Sequence, residues 1–193
     1  MKYPAKNLKN PPQPRLELGR YLTSLTATRV AGPNLHLGRL HAGSLVLRCA
    51  LGGGGIKRDK REGDHATPAG SWRILLGFYR SGRPLRRPAF LPMRPIRRGQ
   101  GWCDDPHSGL YNRLIVAPFR PSHENLWRND HLYDIVLVLN YNISPRRQNR
   151  GSAIFIHCAQ PGFAPTEGCV ALRYEDLRRL LPRLSSKTVL TIK

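Results

Sequence analysis

The sequence predicts a mainly β domain with a few short helices. Three observations predict it: short apolar runs rich in Val, Ile, Leu and Thr recur along the chain, Gly, Pro, Asn and Asp break them, and one stretch alone keeps a persuasive helical spacing. A chain of 193 residues with 40% hydrophobic content can bury one good-sized core and is too apolar for a disordered polymer. The reading is a single domain over residues 21–193, preceded by a Pro-rich, basic arm at residues 1–20 that has no periodicity.

In chain order, strand-like runs fall at residues 21–30, 34–52, 71–79, 114–118, 134–142, 153–157 and 188–193, each bounded by turn-forming residues. Gly52 to Gly55 imitate a phosphate loop, but no Gly-Lys-Ser/Thr closes the run and IKRDKREGD follows it instead of a helical pattern. A flexible turn is the expectation there. Residues 80–112 are rich in Arg, Pro and Gly and carry Trp102, Cys103, Asp104, Asp105 and His107; so long an irregular stretch in a compact domain suggests the wall or lid of a site. The helix is expected at residues 173–184, where Tyr174, Leu177, Leu180 and Leu181 keep the period. Glu175 and Asp176 lie early in it, and Arg178 and Arg179 late, which suits the helix dipole.

Thirty-two Lys and Arg against twelve Asp and Glu give a formal charge of +20, which favours anionic partners: nucleic acid, acidic lipid or an acidic polymer. A nucleic-acid-binding module would account for the charge through phosphate neutralisation. No helix-turn-helix, zinc-finger or RNP-type strand accompanies it, and no nucleic acid is expected as partner. No run approaches the ~20 apolar residues of a membrane span, and the N-terminal residues lack the apolar stretch of a secretory signal. Cys49, Cys103, Cys158 and Cys169 form no CxxC pair, so neither a disulfide scaffold nor a zinc ribbon is indicated.

Chemistry concentrates in residues 155–172, FIHCAQPGFAPTEGCVAL, where an apolar strand ends on His157 and a loop with two prolines delivers Gly168-Cys169. A cysteine is nucleophilic as thiolate, and an ordinary pKa of ~8.5 leaves little of that at neutral pH without a base. His157 can be that base if the loop folds back over the strand end. Gly168, lacking a Cβ, would let a carbonyl approach, with backbone N–H groups around Gly168-Cys169 holding an oxyanion. A strand-end histidine and a lone cysteine are also common as inert buried residues, and spacing alone leaves both readings open. A metal site on His157, Cys158 and Cys169 is disfavoured because neighbours on a strand point to opposite faces.

The segment IHCAQPGFAPTEGCVAL resembles the active-site signature of the YkuD-type L,D-transpeptidases, with a strand-end His, a loop of about a dozen residues and then Ser/Thr-His-Gly-Cys. GDHATPAGSW (residues 63–72), YDIVLVLNYN (133–142) and GSAIFIH (151–157) extend the likeness, which is nearest to the compact single-domain branch. The resemblance implies a YkuD-like β-sandwich with Cys169 as nucleophile, His157 as general base, the Cys158 carbonyl orienting His157, and Gly168 and Cys169 N–H groups as oxyanion donors. It places Thr166, Tyr141 and Arg173 among substrate-binding residues. Glu167 departs from the family, standing where many relatives have histidine, and is expected to face solvent or an arginine.

The implied reaction is acyl transfer on peptidoglycan stem peptides, making third-to-third or L-alanine-to-diaminopimelate cross-links, without metal or organic cofactor. Hydrolysis by a carboxypeptidase or amidase is the alternative, since water can replace the acceptor amine. A monomer in the periplasm or cell envelope is implied, although no signal peptide is visible. An Arg-rich groove built from residues 80–112 and 146–150 is expected to receive the anionic stems.

Overall fold

The structure, a computed structural model, describes residues 21–193; the arm expected at residues 1–20 lies outside the described residues. Fourteen strands and one α-helix are found among them: β1 (Ser24–Arg29), β2 (Leu37–Ala42), β3 (Leu45–Ala50), β4 (Ile56–Lys57), β5 (Thr67–Pro68), β6 (Gly70–Tyr79), β7 (Met93–Pro95), β8 (Gln100–Cys103), β9 (Leu114–Val116), β10 (His123–Asn125), β11 (Ile135–Leu139), β12 (Phe155–Cys158), β13 (Val170–Leu172), α1 (Tyr174–Leu180) and β14 (Val189–Ile192).

Nine strands form one sheet in the order β11-β12-β13-β3-β2-β1-β14-β6-β7. The ten-residue β6 reaches two partners: its first residues pair with β14 and the stretch from Ile74 to Tyr79 pairs with β11, so the sheet closes on itself. The enclosed core joins Leu25, Leu40, Ile135, Leu137, Ile156, Val170, Leu172 and Leu190, with Leu177 and Leu180 of α1. All seven expected strand runs contain a strand, the run at 34–52 folding as the antiparallel pair β2–β3. Helix α1 begins at Tyr174 as its pattern predicts, and Pro182 lies in the tighter turn Leu181–Arg183 that ends it.

Residues 80–112 are less irregular than their composition suggests, because β7 and β8 lie within them. Each has only three or four residues, too few for a period to show, and pairing with distant strands decides their conformation. The second of these matters for the site. Strands β10-β8-β9 form a separate small sheet that brings Trp102 against Phe155, edge to face with centroids 5.3 Å apart. A second apolar cluster results, containing Trp102, Tyr133, Val136, Val138, Phe155 and Cys169. With both faces covered, every residue of β11 is buried, and its IVLVL sequence shows the continuous apolar run expected of such a strand.

Candidate active site

Strand β12 sorts its side chains by alternation. Ile156 and Cys158 enter the enclosed core, while Phe155 joins the second cluster, on the face where His157 also lies. His157 is level with Val136 on β11 and Ala171 on β13, and Tyr133 stands edge-on to its ring at 5.3 Å between centroids. Its Nδ1 is 2.9 Å from the Cys158 carbonyl oxygen. A carbonyl only accepts, so Nδ1 carries the proton in the neutral ring and Nε2 keeps its lone pair. Burial lowers the imidazole pKa to about 4, outweighing the Cys158 bond that raises it. Cys158 itself is turned away from His157, its thiol directed at the Ile135 carbonyl.

Cys169 immediately precedes β13, which runs parallel to β12. Its Sγ donates to the Ala153 carbonyl at 3.1 Å and accepts the Phe155 N–H at 3.3 Å, so the sulfur lies at the start of the strand that carries His157. Burial pushes the thiol up to about 12; the Phe155 N–H opposes this, Glu124 adds to it, Lys60 opposes it and Glu167 adds to it. The Thr166 hydroxyl donates to the Cys169 carbonyl at 2.7 Å and accepts the Gly168 N–H at 3.2 Å. Thr166 therefore closes the turn that presents the sulfur. The Gly52 to Gly55 turn supports it from behind, where the Gly53 N–H donates to the Thr166 carbonyl.

Gly168 is required for a reason different from the one its sequence suggests. Its φ is +132°, and a Cβ there would stand 2.7 Å from the Ala66 carbonyl oxygen, so the space is filled by the protein's own backbone and not reserved for a substrate. Its N–H is already engaged by Thr166, whereas the Cys169 N–H finds no acceptor among the described residues.

His157, Cys169 and Thr166 line one cleft of about 580 Å³, together with Tyr133, Ser152, Ala153, Arg128 and the 104–106 segment. Residues 80–112 do contribute a wall, but through Asp104, Asp105 and Pro106 and not through arginines. The expected Arg-rich groove is not what surrounds the sulfur. Glu62, Asp104, Asp105, Glu124 and Glu167 line the cleft, five of the twelve acidic residues in the chain, against the single cation Arg128. Arg128 is itself held by Glu124 at 2.8 Å and Asp130 at 2.6 Å. None of the 146–150 arginines lines the cleft: Arg146 is on the carbonyls of Tyr111 and Gly109 and Arg150 on Asp59.

Tyr141 and Arg173 do not line this cleft. The Tyr141 hydroxyl donates to the Arg150 carbonyl and its ring packs on Trp72, while Arg173 pairs with Asp176 at the start of α1. Glu167, which lines the cleft, is exposed and bonded to His65, so its partner is a histidine and not an arginine. Sequence reasoning passed over Tyr133 and Glu124 as cleft residues and reached Asp104 only as part of a longer stretch marked as a possible wall, because the register that gathers the three is non-local.

These features define a class of β domain in which a thiol at the head of one strand and an imidazole on its parallel neighbour open into one cleft. The particular family follows from comparison: the chain belongs to the YkuD family, the L,D-transpeptidase catalytic domain, whose family model matches residues 34–192. Among solved structures it is similar to Bdellovibrio bacteriovorus Bd1075, at 13% identity and TM-score 0.43, covering 90% of this chain and 48% of that one. It is also similar to Mycobacterium tuberculosis L,D-transpeptidase 1, at 11% identity and TM-score 0.36, covering 88% of this chain and 61% of that one. The chain thus spans roughly half to three-fifths of the length of these proteins. No curated protein matches it. No helix among the described residues is long and apolar enough to cross a membrane.

Proposed function

We propose that the domain is a cysteine acyltransferase that cross-links peptidoglycan stem peptides in the cell envelope, through third-to-third or L-alanine-to-diaminopimelate bonds. The observation that carries the reading is the shared cleft of Cys169 and His157, with Nδ1 of the imidazole occupied by the Cys158 carbonyl. In this mechanism Sγ attacks the donor carbonyl as its proton passes to His157 Nε2. The carbonyl oxygen becomes an oxyanion beside the Cys169 N–H. Collapse breaks the C–N bond, His157 returns the proton to the departing amine, and a thioester remains on Cys169. The acceptor amine then attacks the thioester and gives a proton to His157; collapse breaks the C–S bond, and His157 returns the proton to the departing sulfur, restoring the thiol. All groups named lie in one chain, so a monomer suffices.

The acid-lined cleft supports an amine-bearing acceptor over water, since carboxylates favour a cationic partner. Mass spectrometry of purified sacculi after incubation with the protein is expected to reveal new cross-linked dimers; shortened stems alone would indicate hydrolysis. Incubation with a carbapenem should leave an adduct on the wild type and on Cys49→Ala, and none on Cys169→Ala. An adduct that persists in Cys169→Ala overturns the nucleophile assignment.

A further inference from the structure

Lysine is among the residues least often buried, because its ammonium loses hydration on leaving water. Lys60 is 2% exposed. It reaches this position because two glycines make room for its stem. A Cβ on Gly151 would stand 2.9 Å from Lys60 Cε, and one on Gly168 would stand 3.3 Å from the same atom. The lysine therefore runs beneath the turn that carries Cys169, close to the chain leading into β12.

The charge is held there. Nζ donates to Asp64 Oδ1 at 2.7 Å and to the Arg61 carbonyl at 3.1 Å. Asp64 also accepts the N–H groups of Arg61 at 3.0 Å and Ala66 at 2.9 Å, and Ala66 is the residue whose carbonyl abuts Gly168. Burial pushes the Asp64 carboxyl up, but Lys60 and the two backbone donors outweigh it and hold the group below its usual range, so Asp64 faces Lys60 as a carboxylate. A clamp serving the scaffold alone need not be charged, since a buried ion pair costs desolvation that an apolar pair of similar volume avoids.

We propose that Lys60 is a positioning residue for the reaction at Cys169: its clamped ammonium fixes the underside of the nucleophile turn and supplies the positive charge against which the thiolate forms. The inference rests on Cys169 being the nucleophile. The charged and titratable groups around that sulfur are Glu124, Glu167, Lys60, Tyr133 and His157, with Arg128, Glu62, Asp104 and Asp105 also lining the cleft. Lys60 opposes Glu124 and Glu167 at the thiol, whereas Arg128, the cation that lines the cleft, is held by Glu124 and Asp130.

The test is the rate of Cys169 alkylation by iodoacetamide as a function of pH, followed by peptide mass spectrometry, which needs no substrate. Cys49, fully buried in the enclosed core, reports folding in the same digest by remaining unalkylated. Lys60→Met is expected to displace the profile upward by about one pH unit, which is roughly tenfold slower alkylation at a fixed pH near neutrality. Lys60→Gln, which keeps a donor for Asp64 but no charge, is expected to do the same. A profile that does not move in either folded variant overturns the proposal, as does failure of both variants to fold, which would assign Lys60 to the scaffold. If instead wild-type Cys169 resists alkylation as Cys49 does, the nucleophile reading fails first, and the two failures are distinguishable.

Discussion

His157 and Cys169 are both uncharged at rest. Burial holds the imidazole near 4 and the thiol near 12, so the pair meets its substrate as thiol and neutral imidazole, and the proton moves during attack. This resting state has a consequence for stability. The unfolded imidazole titrates at 6.5 and the folded one at about 4, so between these values the unfolded chain binds a proton that the folded chain refuses. The stabilisation is complete above 6.5 and is lost as pH falls towards 4. At about 1.4 kcal/mol per unit, the loss from this one group is on the order of 3 kcal/mol. Urea unfolding at pH 7, 5.5 and 4.5 is expected to show the decline, and His157→Gln, which cannot titrate, should show less of it. An equal decline in the variant would mean that other groups carry the acid sensitivity.

At the scale of elements, the turn before β13 is held by backbone geometry more than by side chains. Gly168 has both a φ closed to ordinary residues and a carbonyl oxygen 2.7 Å from where a Cβ would stand. Gly168→Ala is therefore expected to cost about 1–3 kcal/mol of stability. It should also slow acylation more than the stability loss explains, because the Thr166 bonds that aim the sulfur lie in the same turn. Thermal unfolding and carbapenem adduct formation on the folded fraction measure the two effects; an unchanged midpoint would show that the turn relaxes freely. What the sequence made legible here was local. The period of residues 153–157 placed His157 on a strand, and the Gly-Cys pair marked the turn. The Ala66 carbonyl behind Gly168 and Lys60 beneath it come from a segment over a hundred residues earlier, brought in by the contacts of the Gly52 to Gly55 turn with Thr166, and no spacing rule encodes that approach.

For the whole molecule, a formal charge of +20 gives the sign of the field but not its distribution. The arginines of residues 83–98 lie on the exposed surface along β7 and its flanks, while five of the twelve acids gather at the cleft. The sequence could not reveal this segregation, because Glu62, Asp104, Glu124 and Glu167 come from four separate segments. The cleft should therefore select against the overall charge of the chain. Once Cys169 is acylated, an acceptor amine carrying a second ammonium group is expected to react about tenfold faster at low salt than a matched amine carrying a carboxylate, a barrier difference of about 1.4 kcal/mol. Raising the ionic strength to about 1 M, where the Debye length falls to about 3 Å, should shrink the preference, since the cleft is open to solvent. Glu124→Gln should reduce it as well, and because it removes a charge that raises the thiol it should not slow the first acylation by a neutral donor. Faster reaction of the carboxylate-bearing amine would mean that the surrounding arginines, and not the acids of the cleft, set the field at the sulfur.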